Sequence, residues 1–144
     1  MRTQHSTLLI LTLCLSACDG GGDPKEEGYA ALQAGDHAAA VSAFDEALSA
    51  SDSSAPDHAE LQLARCEALA YVDGAKAEAN FRSLCAAGSD IGVKQYSLIA
   101  GALLGADATV NAVNVVDMGV KAFPDDAKMA ALLEKVKEAA ATDP

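Results

Sequence analysis

Short breaks built from Gly and Asp punctuate this chain at a near-constant interval: Gly35-Asp36, Asp73-Gly74 and Gly105-Ala106-Asp107. Between them run Ala-rich stretches whose larger apolar residues recur every three or four positions, as on one face of a helix. Each break folds one helix back on another. Aligning the resulting hairpins gives a repeat of roughly 36 residues, seen in Phe44, Phe81 and Val116. Periods of this size mark stacked helical repeats, and they constrain the fold more than any other feature of the sequence.

The ends of the helices carry their own signals. Asp23-Pro24-Lys25-Glu26 offers an N-cap Asp, a Pro at the first helical position and a Glu placed to reach back as in a capping box. The helix so begun runs to Ala34 and stops at Gly35, and Asp36 caps a second over 38–50 with Val41, Phe44 and Leu48 on one face. The polar run Ser51 to Ala55 ends this hairpin. The next covers 57–71, with Leu61, Ala64, Ala68 and Tyr71 on one face, and 75–86, with Ala77, Phe81 and Leu84. A third covers 91–104 and 108–122. Phe123-Pro124-Asp125-Asp126 closes it and starts a last helix to about Ala141, with Met129, Leu132, Leu133 and Val136 on one side.

Alanine dominates, Trp is absent and aromatic residues make up only 4% of the chain. Ala is the strongest helix former and lets helices approach closely, but each one buries little area. Strand-forming clusters are missing except around Val110 to Val116, which has helical neighbours on both sides. The fold class is therefore all-α. The net charge of −11 gives a surface that repels nucleic acid and anionic headgroups, which excludes nucleic-acid binding.

The first residues form a separate segment. Arg2 precedes an uncharged, Leu-rich stretch from Thr7 to Leu15, which is too short to cross a bilayer that needs about 20 residues. It ends in Leu15-Ser16-Ala17-Cys18. This arrangement resembles a bacterial lipoprotein signal peptide with its lipobox. The resemblance implies cleavage between Ala17 and Cys18 and a palmitate-type lipid on the Cys18 sulfur. Residues 1–17 are then a signal peptide and residues 18–23 a lipidated Cys with a Gly-rich linker, while 24–141 form the repeat domain and 142–144 a tail. The chain would be anchored in a bacterial cell membrane and face the periplasm or exterior, with inner and outer membrane both open. Losing Arg2 would move the net charge from −11 to −12.

Within the repeats, Gly28-Tyr29-Ala30-Ala31-Leu32-Gln33-Ala34-Gly35-Asp36, followed by Ala40, Phe44 and Ala47, resembles the tetratricopeptide repeat. Ala100, Leu103, Ala112, Val116, Gly119 and Pro124 fall in the corresponding places of the third unit. In the second, Ala77 and Phe81 fit, but Arg65 stands where a small residue is usual, Leu84 where Ala is usual, and the turn lies later. The resemblance implies an α-solenoid of about three helical hairpins plus a C-terminal capping helix. It also implies a concave face, lined by the first helix of each hairpin, that holds a partner. On that alignment Tyr29, Gln33, Gln62, Lys94 and Ser97 face the groove, together with Cys66.

Few other residues suggest chemistry. Cys66 and Cys85 lie on the two helices of the middle hairpin, roughly 6 Å apart along the axis at 1.5 Å per residue, so a disulfide and two buried free thiols both fit. His37 suits a packing role in a turn and His58 a solvated one, and neither has metal-ligand spacing. No phosphate loop, nucleophile motif or paired-carboxylate arrangement occurs. The expectation is a protein that is not an enzyme and needs no cofactor beyond the lipid on Cys18. It would serve as an anchored adaptor for a protein or peptide partner in the cell envelope; alternatively, it would be a structural subunit packed permanently into an envelope complex.

Overall fold

A computed structural model describes residues 22–142, which form an all-α fold. Cys18 and the leader lie outside the described residues. Seven helices follow one another: α1 (Pro24–Ala34), α2 (His37–Ala50), α3 (His58–Ala70), α4 (Gly74–Ala86), α5 (Val93–Gly105), α6 (Thr109–Ala122) and α7 (Ala127–Thr142). No described helix is long and apolar enough to cross a membrane.

The turn residues set these boundaries by satisfying backbone groups that a helix end leaves bare. The Asp23 carboxylate accepts from the Lys25 N–H at 3.0 Å, Asp36 from Ala39 at 3.1 Å and Asp73 from Lys76 at 3.0 Å. Asp126 does the same for Lys128 and Met129 at the start of α7. Gly35 takes φ 76°, so that its own N–H reaches Leu32 O and the Asp36 N–H reaches Ala31 O, a Schellman closure.

Two expectations need correction. The third hairpin was expected to begin at Ile91, but α5 begins at Val93, because the Gly92 N–H donates to the Gln95 side chain at 3.1 Å and fixes the first turn there. The sequence places Tyr71 on one face of the first helix of the middle hairpin, with Leu61, Ala64 and Ala68. It instead caps the end of α3, is 41% exposed, and stacks on His37 with centroids 3.9 Å apart and planes 7° from parallel.

Helices pack on their chain neighbours, except that α4 and α5, joined by residues 87–92, make no comparable contact; helices also pack on the next but one, α3 on α5, α4 on α6, α5 on α7 and, more lightly, α1 on α3. Two apolar clusters result. Ala40, Phe44, Ala47, Leu61, Ala64 and Ala68 unite α2 and α3 under Tyr29 and Leu32 of α1. Phe81, Ile99, Leu103, Val115, Val116, Met129 and Val136 anchor the larger cluster from α3 to α7. Because α3 supplies Ala64 and Ala68 to one and Cys66, Leu69 and Ala70 to the other, it is the wall between them.

Candidate interaction groove

The polypeptide enters α1 beside the start of α3. Lys25 Nζ meets Asp57 Oδ2 at 2.7 Å, and Tyr29 one turn later donates its hydroxyl to Glu60 Oε1 at 3.4 Å. The Tyr29 ring is fixed edge-on against Phe44, with centroids 5.1 Å apart. The hydrogen bond to Asp57 is the main reason the Lys25 ammonium is held above its usual range, and the same bond holds the Asp57 carboxyl below its own. Burial, with the Glu60 charge behind it, pushes the Tyr29 phenol up.

Glu60 continues this face of α3 into a groove of about 450 Å³ between α3 and α5. Leu63, Ile91 and Leu98 make it apolar, and Leu98 is 39% exposed. Glu60, Asp90 and Lys94 stand at its rim. Neither Asp90 nor Lys94 forms an ion pair among the described residues, so both charges face outward without a partner. An apolar floor with a few polar groups around it is the usual composition of a binding cleft.

Of the residues expected there, Lys94 lines this groove. Tyr29 adjoins it through Glu60, and Gln33 is exposed one turn further along α1. Ser97 is half-buried and donates its hydroxyl to Val93 O at 2.9 Å, within its own helix. Gln62 lies elsewhere, between α2, α3 and α4. Its amide contacts His58 Nε2 at 2.9 Å, and His58 Nδ1 contacts Ser51 Oγ at 2.9 Å. With Gln62 donating, the neutral ring carries its proton on Nδ1 and donates to Ser51, whose own hydroxyl donates to Leu48 O. His58 is thus a bonded joint between α2 and α3 rather than a solvated residue.

Cys66 is also outside the groove, buried at 1% exposure. Burial, reinforced by the nearby Cys85 thiol, pushes its thiol up to about 11 against the opposing charge of Arg65. Cys85 accepts from the Tyr96 hydroxyl at 3.4 Å, and burial together with that bond pushes the phenol up to about 12. Both cysteines are free thiols. Among the described residues, no three His, Cys, Asp or Glu side chains gather where they could hold a metal ion.

Sequence reasoning missed Glu60, Leu63, Asp90 and Leu98. Glu60 and Leu63 are three apart on α3, and Lys94 and Leu98 four apart on α5, the spacings that put side chains on one face. Gln62 and Leu63 are adjacent on α3, and the rotation of α3 between its neighbours turns Leu63, not Gln62, into this groove.

No family model, curated protein or solved structure matches this chain.

Proposed function

We propose that this protein is a lipid-anchored, extracytoplasmic interaction module whose groove between α3 and α5 holds part of a protein partner. The observation that carries this is the exposed Leu98 beside Leu63 and Ile91, framed by the unpartnered charges of Asp90 and Lys94. The packing of α3 on both α1 and α5, and of α5 on α7, supports reading the helices as a TPR-like α-solenoid in which α1, α3 and α5 would form the concave layer. A partner presenting an apolar side chain between a basic and an acidic residue would satisfy this groove.

The lipobox at Leu15 to Cys18 supports attachment through Cys18, a few residues before α1. Antiparallel helices put the start of α1 at the same end as the Asp90–Ile91 loop, so a short Gly-rich tether would hold the mouth of the groove near the bilayer. Confinement of this kind raises local concentration without adding contacts.

The second reading is a subunit packed permanently into an envelope complex. Tyr71, Val72 and Val110, which are 41%, 52% and 71% exposed, favour it. One experiment separates the two. Replacing Cys18 with Ala should give a soluble monomer that binds its partner reversibly and loses it on Leu98→Glu. Aggregation of the Cys18→Ala chain, or partner binding indifferent to Leu98→Glu, would favour the subunit.

A further inference from the structure

On another face of α3 from the groove, a cleft of about 310 Å³ opens between α2, α3 and α4. It coincides with a departure from the repeat. Gly28, Arg65 and Ala100 stand at one equivalent place, each equally far before Phe44, Phe81 and Val116. Gly28 and Ala100 are buried, and the Phe44 ring lies directly against Gly28. A guanidinium cannot occupy that space, and Arg65 instead turns toward α2, where its Nε donates to Asp45 Oδ1.

The cleft's polar groups are only partly used. The terminal nitrogens of Arg65 have no partner among the described residues, although three-quarters of its side chain is shielded from solvent. Across from it on α4, Asn80 spends its amide N–H on Lys76 O and Ser83 its hydroxyl proton on Ala79 O. Acceptor oxygens remain on both. Leu48 and Leu84 supply apolar walls. Two parallel N–H donors on a planar guanidinium match the two oxygens of a carboxylate.

We propose that this cleft binds a carboxylate attached to a small apolar group, as in a free amino acid or at the C-terminus of a peptide. The terminal nitrogens of Arg65 hold the carboxylate, and Leu48 and Leu84 hold the apolar group. The volume of about 310 Å³ matches about one residue. In a free amino acid the ammonium would be met by Asp45 and the amide oxygen of Asn80. Neither the lipid anchor nor the groove between α3 and α5 enters this assignment.

Titration calorimetry on the full chain in detergent, with N-acetyl-leucine, leucine and leucine amide, tests it. Both carboxylates should bind, and the amide roughly tenfold more weakly. Tighter binding of N-acetyl-leucine identifies a peptide end as the ligand, and tighter binding of leucine identifies the free amino acid. Arg65→Met should weaken both roughly tenfold. Ser83→Phe, at an exposed helix position that leaves the Asp45–Arg65 pair intact, should block the cleft, and it decides the matter if Arg65→Met does not fold. Absence of carboxylate binding, equal binding of leucine amide, or undiminished binding in Ser83→Phe would overturn the assignment.

Discussion

A methyl group added at Gly28 would lie 2.6 Å from two ring carbons of Phe44. The helix thus carries a residue of poor helical propensity because nothing larger lets α1 settle on α2. Gly101 in α5 is a natural control, being exposed with nothing within 4 Å of its added Cβ. Relief of backbone entropy favours Ala by up to about 1 kcal/mol at either site, whereas forced overpacking of a rigid ring costs about 1–3 kcal/mol. Gly28→Ala is therefore expected to lower the urea midpoint and Gly101→Ala to raise it. A rise in both would mean that the α1–α2 contact is looser than described.

Between elements, a single carboxylate ties α4 to α6. Glu78 Oε2 accepts from Asn111 at 2.8 Å and Asn114 at 3.0 Å, and Oε1 accepts from Arg82 at 2.7 Å, with only 13% of the side chain exposed. Burial pushes the Glu78 carboxyl up, but the bonds from Asn114, Asn111 and Arg82 outweigh it and hold the group below its usual range. A carboxyl lowered on folding adds stability above its unfolded pKa of about 4.3, and that stability disappears as pH falls through the lower folded value. Glu78→Gln should therefore unfold more easily than wild type at neutral pH, by about 1 kcal/mol, and the gap should close in acid. A gap independent of pH would show that the charge contributes nothing.

Most of the helices were legible in the sequence because their ends depend on local chemistry. Asp23, Asp36 and Asp73 each cap the helix that follows, and Gly35 adopts the left-handed turn that its position implies. Tyr71 was misplaced because helical periodicity continues past Ala70, while its ring is claimed by His37 from another hairpin. The groove was half legible for a related reason. Lys94 follows from its place on α5, but the choice between Gln62 and Leu63 depends on how α3 is rotated between its neighbours. No spacing within α3 records that rotation.

For the whole molecule, α3 divides a small cluster under α1 and α2 from a larger one reaching α7, and the two clefts lie on different faces of this dividing helix. An anchor at Cys18 would hold the smaller cluster nearest the membrane, with the groove mouth at the same end. The measurement that tests this account most directly is in-cell photocrosslinking from position 98 in the groove, with exposed Ala130 on α7 as the control position. One specific protein should be captured from position 98 and not from 130, and under the proposed anchoring its yield should fall in Cys18→Ala. Capture that is the same from both positions, or from neither, would contradict the groove as the docking surface.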